Sequence, residues 1–194
     1  MAGVLNLKKN DVLDLTKKDP SINNIRVCAG WDVAKKGFFG FAQKDFDLDL
    51  VALLLNENGK LIRSKGLIYY GEKKGSGIYL HGDNLTGEGD GDDEMISVSL
   101  KNIPADCRKI LFAVTIYEGA SRNQSFSKVK NAYVRLVDED KNDAEVCRYN
   151  LSEDGGSNTA IIFASLNKEA NDWSFKAVGQ LLQASVQSLS NMYK

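Results

Sequence analysis

Phe46-Asp47-Leu48-Asp49-Leu50-Val51-Ala52-Leu53-Leu54-Leu55 is the stretch on which the fold turns. Residues two apart on a strand share a face, so Asp47 and Asp49 point one way while Phe46, Leu48 and Leu50 point the other. Beyond Leu50 both faces are apolar, which predicts a central strand covered on both sides. Two carboxylates at the head of such a strand are costly unless solvent or a cation meets them. The same ten residues therefore raise a question of architecture and a question of chemistry.

Downstream, Asn56-Glu57-Asn58-Gly59-Lys60 carries the Asn-Gly signal of a hairpin turn and returns the chain through Leu61-Ile62 and Leu67-Ile68-Tyr69-Tyr70. Upstream, Ile25-Arg26-Val27-Cys28-Ala29-Gly30-Trp31-Asp32 reads as a strand, followed by an aperiodic surface loop over 33–45. Residues 3–15 alternate loosely around Lys8-Lys9-Asn10-Asp11, predicting two short strands joined by a polar turn. Further strands are expected at Ile78–His81, Met95–Leu100, Lys109–Tyr117, Ala132–Asp138, Ala144–Leu151, Ala160–Leu166 and Trp173–Val178. Val178, Leu182, Val186 and Leu189 recur at helical spacing and predict a helix over 180–192. The sum is a mainly β chain: one antiparallel β-sandwich domain over residues 1–194, with a C-terminal helix and short helical turns.

Between the strands at Ile78–His81 and Met95–Leu100 lies Gly82-Asp83-Asn84-Leu85-Thr86-Gly87-Glu88-Gly89-Asp90-Gly91-Asp92-Asp93-Glu94. Its last twelve residues hold six carboxylates, three glycines and no Lys or Arg. A bare acid run is commonly a solvated linker, but this one connects two strands, which is not how a disordered tail is built. Glycines permit positive φ and let carboxylates and carbonyls turn onto a common centre. Hard oxygen donors on such a loop suit Ca²⁺, which takes about six to eight of them. Asp83 and Glu94 stand at positions 1 and 12 of an EF-hand loop. The template then fails, because Leu85 and Gly87 fill positions 3 and 5 and Glu88 replaces the required glycine.

Asp32, Asp47 and Asp49 could complete the coordination from strand ends. Up to nine carboxylates would then gather, more than one Ca²⁺ uses, so two ions are expected. The candidate metal ligands are Asp32, Asp47, Asp49, Asp83, Asn84, Glu88, Asp90, Asp92, Asp93 and Glu94.

The charge balance agrees. Taking the six loop acids from the 26 Asp and Glu leaves 20 against 25 Lys and Arg, so the negative charge is concentrated at one place. A net charge of −1 gives nucleic acid no support as the main partner. No apolar run approaches the roughly 18–20 residues of a membrane span. The first nine residues carry no signal-peptide pattern, and Cys28, Cys107 and Cys147 are odd in number and widely spaced. These features predict a cytoplasmic protein with reduced core thiols.

Catalysis has one opening. Paired carboxylates, or metals held by them, could serve a metal-dependent hydrolase acting on phosphoesters or glycosides. Against it, the chain has a lone histidine, His81, no P-loop and no dinucleotide fingerprint. His81 reads as a structural residue beside the loop, and the chain as a non-enzyme.

In order along the chain, Gly30-Trp31-Asp32, Phe46-Asp47-Leu48-Asp49, the thirteen residues from Gly82 to Glu94, Ala113-Val114-Thr115-Ile116-Tyr117, Asn131-Ala132-Tyr133-Val134-Arg135, Leu151-Ser152-Glu153-Asp154 and Trp173-Ser174-Phe175-Lys176-Ala177-Val178-Gly179-Gln180 resemble the TerD family of bacterial tellurium-resistance and stress-response proteins. The resemblance implies a β-sandwich that binds Ca²⁺ through Asp32, Asp47, Asp49 and the acidic loop. It also implies a role in resistance to tellurite, chemical stress, phage or colicins, as a sensor or scaffold among other proteins of a stress-response assembly. Two departures are visible. Asn150 stands where members often carry Asp, and Gly155-Gly156 replaces a bulkier, often aromatic, residue.

Overall fold

The computed structural model describes residues 4–33, 46–82, 91–151 and 155–194. Two β-sheets stack face to face. The first runs, in spatial order, β1 (Leu5–Leu7), β11 (Ala144–Asn150), β10 (Val129–Asp138), β3 (Asn24–Val33), β8 (Glu94–Ser99), β7 (Ile78–Leu80) and β6 (Lys74–Gly75). The second runs β2 (Val12–Asp14), β13 (Asp172–Leu182), β12 (Ala160–Glu169), β9 (Lys109–Ile116), β4 (Leu48–Leu55) and β5 (Leu67–Ile68). Among the described residues the ladders are antiparallel except β1 on β11, which is parallel. Alternating side chains from the two inner faces make the main core, with Val27, Ala29, Ile96, Val98, Val134 and Leu136 facing Leu50, Ala52, Leu54, Phe112, Val114, Phe163 and Phe175.

β4 is buried along its whole length, as its composition predicts. Leu48, Leu50, Ala52 and Leu54 enter the core between the sheets. Val51, Leu53 and Leu55 enter a second cluster on the outer side of the second sheet, roofed by Leu189 and Val186 of a short helix, α1 (Val186–Asn191). β4 is not the middle strand, however. It pairs with β9 along eight residues but with β5 only at Ala52 and Leu53, so among the described residues no strand pairs with the first half of β4 on that side.

Two expectations change. The strands in 3–15 both form, but they do not pair with each other: β1 joins the first sheet and β2 the second. The turn between them, where Asn10 takes a φ of 73°, therefore bridges the two layers. The terminal helix is shorter than its period suggests, because Val178 and Leu182 lie in β13. Pairing of Ile161 and Ala160 with Leu181 and Leu182 satisfies backbone groups that a helix would have to bond internally. The apolar stripe keeps its purpose, since Val178, Leu182, Val186 and Leu189 still meet in one cluster. Ser185 starts the helix with a reciprocal capping box to Ser188.

The acid-bearing end of the sandwich

β7 and β8 pair directly, Leu80 opposite Ile96 and Ile78 opposite Val98, so the acidic segment is the connection of a hairpin. Asp83, Asn84, Glu88 and Asp90 lie outside the described residues. The three acids that close the segment go three different ways.

Asp92 turns to the outer face of the first sheet. Arg135 of β10 donates to both its oxygens, with Nη2–Oδ2 at 2.6 Å, and Tyr133 donates to Oδ1 at 2.9 Å. Burial opposes the charged form of Asp92, yet the Arg135 and Tyr133 hydrogen bonds prevail and hold its carboxyl below the ordinary 3.8. Arg135 also bonds Glu145 at 2.9 Å, Glu145 bonds Arg148 at 2.8 Å, and the Arg148 guanidinium lies 4.3 Å from the Tyr133 ring centre. Tyr133 can lie flat on β3 because its partner there is Gly30: a Cβ at that position would stand 2.4 Å from the tyrosine ring. The glycine of Gly-Trp-Asp is thus a seat for Tyr133.

Asp93, mostly buried, accepts the backbone N–H of Trp31 at 2.8 Å and donates its own N–H to the Ala29 carbonyl. Glu94 points inward and crosses to the second sheet, where its Oε2 accepts the N–H of Leu50. The Leu54 N–H, which faces the same side of β4, is met by Gly66; at Leu50 β5 has ended, and Glu94 takes its place. Its carboxylate therefore sits against the peptide joining Asp49 to Leu50. The exposed Asp32 accepts from Asn131 at 2.6 Å, beside the bulge where Asn131 takes a φ of 50°.

Asp49 is 4% exposed and lies, with Asp47, on the outer side of the second sheet, where Thr115 is its cross-strand partner. Asp47 Oδ1 and Asp49 Oδ2 are both buried oxygens. Their field is felt nearby: burial first, then Asp49, raises the Tyr70 hydroxyl pKa, with smaller contributions from Tyr117, Tyr69 and Asp47. Hard carboxylate oxygens held in a partly dry, electronegative place fit a Ca²⁺ ion and exclude a soft-metal site. Among the described residues no three His, Cys, Asp or Glu side chains close on one point.

His81 does find a partner that the linear sequence hides. Its Nε2 lies 2.8 Å from Ser97 Oγ, and Ser97 in turn donates to Glu139 at 2.8 Å. With the serine proton committed to Glu139, Nε2 is the donor towards Ser97 and is not placed to take a proton from it. Arg26 closes the chain on Glu139 at 2.7 Å. Cys28, Cys107 and Cys147 are free and buried; burial pushes their thiols up to about 12, about 11 and about 12.

Sequence reasoning missed Tyr133, Arg135 and Glu145. The alternation in Tyr133-Val134-Arg135 shows that Tyr133 and Arg135 share a face, but not which acid they meet. The Gly155 departure has a local reason: a Cβ there would stand 2.2 Å from that of Phe126, and the neighbouring Gly156 takes a φ of 52°.

Comparison with known proteins agrees with the fold. The TerD domain family model matches residues 3–193. The tellurium resistance protein TerD of Serratia marcescens is 40% identical over 97% of this chain and 96% of its own length. General stress protein 16U of Bacillus subtilis is 39% identical over 97% of this chain and 96% of its own length. A crystal structure of a homologue of telluride resistance protein (TerD) from Streptomyces coelicolor A3(2) superimposes with a TM-score of 0.67 at 16% identity, covering 90% of this chain and 99% of that one, a likeness of fold alone.

Proposed function

The chain belongs to the TerD domain family, and from that premise we propose that it is a stress-response protein that binds Ca²⁺ at its acid-bearing end and works as a sensor or scaffold, not a catalyst. The observation that carries the reading is the meeting of Glu94 from one sheet with the Asp49–Leu50 peptide of the other. Asp47, Asp49 and Glu94, with Asp32 and the loop residues Asp83, Asn84, Glu88, Asp90 and Asp93, are the residues that would hold two ions. Bound there, Ca²⁺ supplies positive charge that offsets the clustered carboxylates. Asp92 is a shared donor at most, because Arg135 already occupies both its oxygens. Its part is to aim the end of the loop. The orientation of Ser97 and His81 supports the non-catalytic half of the reading, since the serine–histidine contact found among the described residues is arranged against proton abstraction. Other proteins of a stress-response assembly in the cytoplasm are the proposed partners. Among the described residues no helix is long and apolar enough to cross a membrane.

Calorimetric titration tests the reading. Ca²⁺ binds with clear preference over Mg²⁺, and at a hundred times its Kd it stabilises the fold by roughly 2.7 kcal/mol, a rise of roughly 5–10 °C in Tm. The Asp47→Asn/Asp49→Asn double variant abolishes the rise. An absence of heat with Ca²⁺, or a full rise in the double variant, sinks the proposal.

A further inference from the structure

The end of the sandwich far from the acids holds a different kind of site. β8 leaves Glu94 at the acid-bearing end and finishes at Ser99, β12 finishes at Glu169, and β13 begins at Asp172. Around these strand ends opens a cleft of about 560 Å³, lined by Lys17, Lys101 and Lys168 and floored by Ile22, Leu100 and Trp173. Its frame is pinned on three sides. The Leu15 N–H bonds the Trp173 carbonyl at 2.9 Å, the Lys101 N–H bonds Asn23 Oδ1 at 3.0 Å, and the Lys168 N–H bonds the Arg108 carbonyl at 2.8 Å. Thr16 Oγ1 accepts from the Trp173 N–H at 2.8 Å and donates to Asp172 at 3.0 Å.

The charges are unbalanced. Lys17, Lys101 and Lys168 form no close ion pair with a described residue, although the charge of Lys101 adds to the Asn24 and Asn23 hydrogen bonds that lower the Asp140 pKa, and Lys168 Nζ lies 5.5 Å from the Trp173 ring centre. Asp172 is the one acid of the lining. Three lysines against one acid leave the lining net positive, which suits an anion that can bridge them. The cleft is also much larger than a bare phosphate or other small oxyanion needs, and part of its wall is apolar.

We propose that this cleft binds an organic phosphate, the phosphate group held by Lys17, Lys101 and Lys168 and an apolar body lying against Ile22, Leu100 and Trp173. The site is separate from the acid-bearing end and does not depend on Ca²⁺ there. The arrangement gives one molecule two poles of opposite sign, each fitted to a ligand that the other would repel.

The test uses the full chain in low salt with EDTA and titrates 1-naphthyl phosphate by calorimetry. Saturable one-to-one binding is expected, with inorganic phosphate and 1-naphthol each weaker by about tenfold or more, because each offers only half of the contacts. Lys101→Met/Lys168→Met, which keeps most of both apolar stems, weakens 1-naphthyl phosphate by about tenfold or more. Asp172→Asn keeps an acceptor for Thr16 and removes the only negative charge of the lining, so it tightens binding about two- to fivefold. An effect in that direction cannot come from unfolding. No saturable binding at millimolar 1-naphthyl phosphate overturns the proposal, as does equal affinity for inorganic phosphate or a folded double-lysine variant with unchanged affinity. Should that variant fail to fold, Asp172→Asn decides alone: tighter binding supports the site, and unchanged or weaker binding removes it.

Discussion

The first sheet carries two acid-rich connections, and they differ in how their charge is met. Asp138-Glu139-Asp140-Lys141-Asn142-Asp143, between β10 and β11, carries a lysine of its own and also draws donors from the segment Asn23 to Arg26. Asp138 caps the short turn through the Asp140 N–H, and Asp140 accepts the N–H groups of Asn23 and Asn24 at 2.9 and 2.8 Å. Lys141, inside the same turn, pairs with Asp138 and Asp19. The described end of the β7–β8 connection contains no cation of its own. Asp92 must borrow one from β10, and Asp93 and Glu94 take backbone donors from β3 and from the opposite sheet. Both runs recruit distant donors, but the one with its own lysine meets part of its charge inside the turn, whereas Asp92, Asp93 and Glu94 take their described donors from other strands.

That contrast can be broken by mutation. Arg135→Met should have the larger effect, because it leaves Asp92 and Glu145 without their shared guanidinium. Breaking a wholly buried pair costs about 3–5 kcal/mol; Arg135 is 27% exposed, so the expected loss is about 2–3 kcal/mol in urea unfolding. A loss under about 0.5 kcal/mol, the level of a surface substitution, would mean that Asp92 is not what anchors the segment.

Asp140→Ala should be milder. It removes the acceptor of two backbone N–H groups that water can reach, an expected loss of about 1 kcal/mol by the same measurement. If it equals or exceeds Arg135→Met, the arginine borrowed from β10 is not the stronger of the two anchors.

The smallest effect at neutral pH is proton linkage. Asp92 is held below its ordinary 3.8 by Arg135 and Tyr133 despite burial, and Glu145 below its ordinary 4.5, first by Arg148. Asp140 is lowered as well, first by the Asn24 backbone. A lowered folded pKa contributes stability that is complete above the unfolded value and is lost as pH falls through the folded one. Stability should therefore be flat near neutrality and decline below about pH 4, with Asp138, raised mainly by burial, offsetting a little of the loss. Arg135→Met should flatten that decline in acid titrations followed by circular dichroism. An unaltered slope would separate the low pKa of Asp92 from its arginine.

Much of this was legible in the chain. The double apolar face of β4 announced a strand covered on both sides, and the segments that form β8 and β10 read as strands. The acidic run between two strands was recognisable as a hairpin connection because turns and periods are local properties. The length of the last helix was not, since the apolar stripe of residues 178–189 serves equally a helix and a strand followed by a helix, and only the ladder with β12 chooses between them. The separation of β1 from β2 was equally hidden, because adjacent short strands do not declare which sheet each will join.

The amino-acid order settles which segments are strands, where the negative charge is concentrated, and that the head of β4 carries carboxylates facing away from the main core. Those follow from period two and from composition, which act within a few residues. The tertiary structure alone decides that Asp92 belongs to Arg135, that Gly30 exists for Tyr133, and that Glu94 bonds Leu50 of β4. Each of these depends on which backbone donors and cations are left over after the sheets have paired, and that remainder is set by strand order across the whole chain.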